Sequence, residues 1–340
     1  MRNICISIVS ELKVVDNNDL IKRPGLVIIN EKNIKIVKEY FFPRNNIELQ
    51  KIKSLYKFEN EFNHNIKFDL NCRFGFTGIK LYKKIIYCSY SNLIYKIDSK
   101  TFKVISIISN HLMEDLHSID IKNNKIYFVN NVLNLVVVCD LQGKIIVSKK
   151  IHNDLKISSF KTKEDRRYIK KIRRGPQGSF HFNYTQIIKD KIFLTSRSTN
   201  SIIKIDLNFK KATLCTFQII KPSLIHDGLM VSNKIYLSSI NGLIKIYKHN
   251  FKDSKTSLEK IIDLNDYKDI KKILWCRGLL LDGDTLYVGI NGYKYNNTYK
   301  NFELISLNSS SYNFIKTIKS EKFIDSSKYR YMSIFQIIKV

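Results

Sequence analysis

The sequence has almost no alanine, four prolines, four methionines and one tryptophan. Scarce alanine removes the best helix former. The 19 tyrosines, 20 phenylalanines and many Ile and Val favour strands instead. No apolar run approaches the roughly 18 residues that a membrane helix needs, so no membrane span is expected. The opening stretch Met1–Glu11 is too short in apolar residues for a secretory signal. No Cys-x-x-Cys pair occurs among Cys5, Cys72, Cys88, Cys139, Cys215 and Cys276. Four of these lie in apolar strand-like runs, which predicts buried reduced thiols and a cytoplasmic protein. A Walker loop, Gly-x-Gly-x-x-Gly, His-Glu-x-x-His and Gly-x-Ser-x-Gly are all missing, which removes the common nucleotide, zinc-protease and serine-hydrolase signatures.

Acids are also short. The chain has 58 Lys+Arg against 30 Asp+Glu, a formal charge of +28. A field of that sign attracts anions: nucleic acid, phosphorylated or carboxylated sugars, or an acidic membrane face. The basic residues are spread along the chain and no nucleic-acid module is recognisable, so nucleic acid ranks last.

What the sequence does contain is a repeat. A small or polar residue, an apolar strand, a tight turn and an aromatic-bearing strand recur five times: Thr77 to Tyr87, His117 to Tyr127, Asn183 to Phe193, His226 to Tyr236 and Arg277 to Tyr287. The first residue precedes the aromatic anchor by ten positions in every copy. The turns are expected at Lys83-Lys84, Asn123-Asn124, Lys189-Asp190, Ser232-Asn233 and Asp282-Gly283. Asn, Asp, Ser and Gly suit a tight hairpin, and the Lys-Lys pair suits it less. Third strands such as Asn134–Asp140 and fourth strands such as Lys144–Ser148 follow. Four strands per unit and anchor spacings of 40, 66, 43 and 51 residues describe propeller blades, the second spacing carrying an insertion.

The termini complete the ring. Tyr331–Lys339 reads as an innermost strand, Asn3–Val9 as a second, and Gly25–Asn30 and Ile34–Phe42 as a third and fourth. The expected fold is all-β: one domain over residues 1–340, a six-bladed β-propeller closed by a blade shared between the N- and C-termini, with no free sheet edge. Residues 46–56 read as a short helix between blades, and 289–299 as a rim hairpin. Residues 149–177 carry 11 basic residues against three acids and read as a basic insertion, a loop or short helix projecting from the ring.

A propeller brings the opening residue of each inner strand to one axial mouth. That gathers Thr77, His117, Asn183, His226, Arg277 and Met332 or Tyr331, with His181 on the approach to the same mouth. Three readings are open. His117, His181 and His226 could hold one divalent metal ion, whose bound water would serve a lyase or hydrolase. Without metal, a histidine would act as general base and a second His or Tyr as acid. In both, Arg277 grips a carboxylate or phosphate, with Asn183, Asp227 and Thr77 completing a ligand-binding set. In the third reading the polar residues only tie neighbouring blades, with Asp227 capping a backbone amide and Gly228 supplying freedom.

Asp115-Leu-His-Ser, Phe180-His-Phe-Asn183, Ile225-His-Asp-Gly228 and Cys276-Arg-Gly-Leu279 resemble successive blades of a bacterial propeller family catalogued as a domain of unknown function. That family shows Asp-Leu-His-Asp, Cys-His-Leu-Asn-Gly, His-Asp-Gly and Pro-Arg-Gly-Leu at these places. The similarity spans about residues 73–295. Ser118 stands for an acid, Tyr184 for Gly and Cys276 for Pro. The resemblance implies a propeller and a shared axial His/Arg set, and no particular reaction.

The functional expectation is an axial His/Arg pocket for a small anionic ligand, a sugar acid or a modified peptide, serving a metal-assisted lyase or hydrolase if catalytic. The alternative is a non-catalytic interaction scaffold that holds a partner protein with its rim loops and the 149–177 insertion.

Overall fold

The computed structural model describes residues 3–12, 21–30, 36–41, 50, 75–90, 92–160, 180–215, 224–250, 255–267, 275–291, 294–295, 298–299, 302–319 and 329–340. Its regular elements are strands, apart from a 3-10 turn at Leu264–Asp266. They form six antiparallel sheets in a ring. Blade 1 starts at Gly78–Tyr82, blade 2 at Ile119–Lys122, blade 3 at Phe182–Ile188, blade 4 at Ile225–Val231 and blade 5 at Trp275–Asp282. Blade 6 has the order Tyr329–Lys339, Asn3–Leu12, Ile21–Asn30, Ile36–Phe41. Its inner strand is therefore the last of the chain and its second strand the first. Each inner strand touches the next, and that of blade 6 touches that of blade 1, so the ring is closed.

The repeat has a simple cause. In blades 1 to 5 the aromatic anchor pairs with the residue seven positions before it: Lys80 with Tyr87, Asp120 with Tyr127, Gln186 with Phe193, Leu229 with Tyr236 and Leu280 with Tyr287. Every anchor is buried in the core that its blade shares with the following blade. Tyr87, for example, joins Ile119, Ile126 and Phe128 of blade 2. A sixth core joins blade 6 to blade 1 through Cys5, Leu26, Ile28, Ile79 and Cys88. One apolar cluster per junction is why the strands carry apolar residues on both faces. The five cysteines in the described residues are free and buried. Burial pushes the thiols of Cys139 and Cys215 up to about 12 and about 11, which keeps them protonated.

Four of the five turns sit where expected, and one does not. Lys83 and Lys84 both take positive φ, 49° and 62°, as Asn123 and Asn124 do at 51° and 58°. The lysine pair thus makes the same tight hairpin, its side chains in solvent. In blade 5 the pairing of Asp282 with Thr285 puts the turn at Gly283-Asp284, one residue later than expected, because the seven-residue pairing sets the register.

The basic insertion also differs where it is described. Ile145–Ile151 and Ile157–Ser159 pair antiparallel and give blade 2 a fifth strand, in place of a projecting loop or helix. Lys149 and Lys150 fall on Ile145–Ile151, and the short outer strand Ile157–Ser159 carries none. Residues 161–177, the helix expected over 46–56 and Cys72 lie outside the described residues, residue 50 excepted. In the blade 5 hairpin, Lys294–Tyr295 pairs with Thr298–Tyr299.

Candidate functional site

The inner strands of blades 3, 4 and 5 are irregular near their starts. The pairing slips between Phe182 and Tyr184, between Ile225 and Gly228, and between Arg277 and Leu279. The residues left over are Asn183, His226-Asp227 and Gly278. A bulge breaks the strict alternation of side chains and re-aims them. Asn183, His226 and Arg277 thus stand at or beside bulges, where the ladder does not dictate their direction.

Arg277 and His226 meet directly. Arg277 Nη2 donates to His226 Nε2 at 2.6 Å, and His226 Nδ1 lies 3.3 Å from Asp227 Oδ1. Burial, followed by the Arg277 charge, pulls the His226 imidazole down to about 3, against the opposing pull of Asp227. The ring is therefore neutral at physiological pH, with its proton on Nδ1 toward Asp227 and its lone pair on Nε2 toward Arg277. The Arg277 guanidinium is clamped between aromatic faces, its carbon 4.6 Å from the Trp275 ring and 4.4 Å from that of Phe335. Cation–π contact fixes its plane while leaving its edge for hydrogen bonds. Gly289 makes the seat possible: a Cβ there would stand 2.2 Å from the Arg277 carbonyl oxygen.

The second cluster belongs to blades 2 and 3. His117 Nε2 lies 3.2 Å from Asp115 Oδ1, and the His117 and His181 rings meet edge to face at 5.0 Å. Burial works to raise the Asp115 carboxyl. The His117 hydrogen bond and the charges of His117 and His181 outweigh it and hold Asp115 below its ordinary range. Burial, then the charge of His117, pulls His181 down to about 4. Asp115 and His181 both adopt positive φ, 48° and 45°, a backbone conformation that costs L-residues energy and gathers at functional sites. Asn131 fixes the pair: its amide donates to the carbonyls of Asp115 and Phe182 and accepts from the Phe182 N–H. The charges of His117 and Arg277 act on His226 and His181 respectively, so the two clusters share one field.

His117, His181, Asn183, His226 and Arg277 are all buried, none more than 7% exposed. Nδ1 of His181 and both amide atoms of Asn183 are enclosed with no hydrogen-bond partner among the described residues. Buried polar atoms are rarely left this way, since each costs about 1–3 kcal/mol.

Other expected members have structural work. Thr77 Oγ1 donates to the Leu116 carbonyl and so carries the approach to His117. Asp227 Oδ2 accepts the Gly278 N–H at 2.8 Å, tying blade 4 to blade 5 beside Arg277. Similar ties run from Asp120 to Ile187 N, from Gln186 to Met230 and from Gln336 to Ile79 N. The side chains of Tyr331 and Met332 are outside the description. Among the described residues, no group of three His, Cys, Asp or Glu side chains is placed to hold a metal ion. Both ring nitrogens of His226 are engaged, which separates it from the His117–His181 pair as a metal ligand. Sequence reading did not single out Trp275, Phe335 or Asn131. The spacing of Asn131 and Asn291, each four residues after its anchor, was the available signal: Asn291 clamps Ile334 in the same way.

No protein-family model and no curated protein matches the chain. Solved structures do. The chain is similar to one in a nidogen/laminin complex, with 10% identity, 98% of each chain covered and a TM-score of 0.54. It is also similar to the propeller domain of Cps50 (Swd1) from Myceliophteria thermophila, with 8% identity, 88% and 82% covered and a TM-score of 0.49. At such identities the likeness concerns the fold alone. No helix among the described residues is long and apolar enough to cross a membrane.

Proposed function

We propose that the hub of this propeller binds a small ligand through a carboxylate or comparable anion. The observation that carries this is the setting of Arg277: a buried guanidinium held flat between Trp275 and Phe335 and hydrogen-bonded to a neutral imidazole. Such a cation is prepared for an anion without reorganising. The motifs shared with the bacterial propeller family support a common axial set, and we read the chain as a relative of that family on those motifs. Chemistry at the site would be acid–base. Asp115 orients His117, and His181 stays neutral beside it, which suits proton transfer to or from a ligand anchored at Arg277. A sugar acid or a modified peptide carries the required anion.

The test is a thermal-shift screen of small sugar acids, hydroxy acids and acylated amino acids against wild type and Arg277→Met. Stabilisation of wild type by a subset, lost in the variant, supports the reading. Equal shifts in both proteins, or none in either, oppose it.

A second reading, a partner-binding scaffold, is favoured by the fifth strand of blade 2. Beside it lies an open cleft of about 660 Å³ lined by Lys150, His152, Lys156 and Ser158, among others. Charge reversal at Lys149, Lys150 and Lys156 should then abolish partner capture in a pull-down, whereas Arg277→Met should not.

A further inference from the structure

The side chain of Asn183 is enclosed in the hub, and neither its amide oxygen nor its amide nitrogen has a partner among the described residues. It is the surplus residue of the bulge between Phe182 and Tyr184, so ladder pairing does not require an amide there. Two residues earlier, His181 holds positive φ and encloses a second unpartnered group, Nδ1. The residue between them, Phe182, is clamped at both its N–H and its carbonyl by Asn131. The arrangement is thus built in from neighbouring blades. A leucine at 183 would fill similar space without stranding a donor and an acceptor. An amide kept there at a cost to stability points to a group supplied from outside.

We infer that Asn183 is the second anchor of the hub ligand and selects an anion that carries an adjacent hydrogen-bond donor and acceptor. This inference rests on the anion-binding reading of Arg277. The Asn183 oxygen accepts and its nitrogen donates, so the complementary edge is an amide or a vicinal diol. A plain alkanoate satisfies Arg277 and leaves Asn183 stranded. Sites with buried polar groups discriminate strongly against ligands that lack the matching group.

Two measurements test this. The first needs no ligand. Asn183→Leu removes two stranded atoms, so its melting temperature should equal or exceed that of wild type. A fall of several degrees, also seen in Asn183→Ser, would mean that the amide has a structural partner and would overturn the inference. The second is calorimetric titration with butyrate, D-glucuronate and N-acetylglycine. Wild type should bind one of the latter two at least tenfold more tightly than butyrate. Glucuronate preference identifies the diol and N-acetylglycine preference the amide. Asn183→Leu should bring that acid to within about twofold of butyrate. Equal affinities for all three acids, each abolished by Arg277→Met, would overturn the role of Asn183 and leave the anion site standing. Binding of none of the acids would overturn both.

Discussion

Arg277 donates a hydrogen bond of 2.6 Å to the neutral imidazole of His226, a residue 51 positions earlier in the chain. The contact joins adjacent blades at the hub, and Asp227 completes it by orienting the same imidazole and capping the Gly278 amide. A charged group, a neutral relay and a carboxylate thus form one rigid unit, whose parts cannot shift independently.

The depressed histidines make stability depend on pH in a definite sense. His226 and His181 fall to about 3 and about 4 when folded, against 6.5 when unfolded. Between these values the unfolded chain binds more protons, so stability rises with pH there and is lost on acidification from about pH 6.5 towards 4. With two such groups the limiting slope is about 2–3 kcal/mol per pH unit. Urea unfolding at pH 7, 6 and 5 should show the decline. His226→Gln, which cannot take up the proton, should remove about half of it. An unchanged slope in the variant would contradict the assignment.

Gly289→Ala places a Cβ 2.2 Å from the Arg277 carbonyl oxygen, which is backbone and cannot turn aside. The change should cost about 1–3 kcal/mol, as overpacking does, and weaken anion binding with it. Gly228→Ala meets chiefly the Thr195 and Leu237 side chains, nearest at 2.7 Å, and should cost less. Denaturant midpoints of the two variants give the comparison.

Asn131 and Asn291 perform the same clamp at different junctions, one beside the His117–His181 pair and one beside the Phe335 face of Arg277. Each change to alanine should lose about 1–3 kcal/mol through unsatisfied backbone groups. Only Asn131→Ala releases Asp115 and the backbone beside His181. Binding of any hub ligand should therefore fall in Asn131→Ala, and in Asn291→Ala too, because Asn291 holds Ile334 beside Phe335 of the Arg277 clamp; titration of both would show this.

Removing residues 329–340 takes away the inner strand of blade 6, including Ile334 and Ile337 of the core shared with Tyr287 and Phe302. The shortened chain should lose its cooperative thermal transition. A transition unchanged in midpoint would mean that closure contributes nothing.

The ring was legible because one physical requirement repeats: blades 1 to 5 each place an aromatic against the next blade, and the seven-residue pairing keeps that phase. Lys83-Lys84 shows that this pairing outranks turn preference, and Gly283-Asp284 that it sets the turn position. That phase put His117, His226 and Arg277 at one mouth, with His181 on its approach; the structure sets His117 against His181 and Arg277 against His226. The bulges at Asn183 and Gly278 were not legible, because a surplus residue leaves no mark in an apolar pattern. The aromatic clamp on Arg277 was hidden for another reason: Phe335 reaches it from the C-terminal strand, 58 residues away. The fifth strand of blade 2 was obscured by the lysines around it, Lys149, Lys150 and Lys156, which read as solvated loop.

The central claim is that Arg277 is an anion clamp. Nitrogen-15 NMR of the arginine side chains, with the Arg277 signal assigned from Arg277→Lys, observes that group directly during titration with glucuronate or N-acetylglycine. The account predicts a saturable shift of the Arg277 resonance, with the other arginines unmoved. Uniform drift of all arginine signals, or a stationary Arg277, would contradict it.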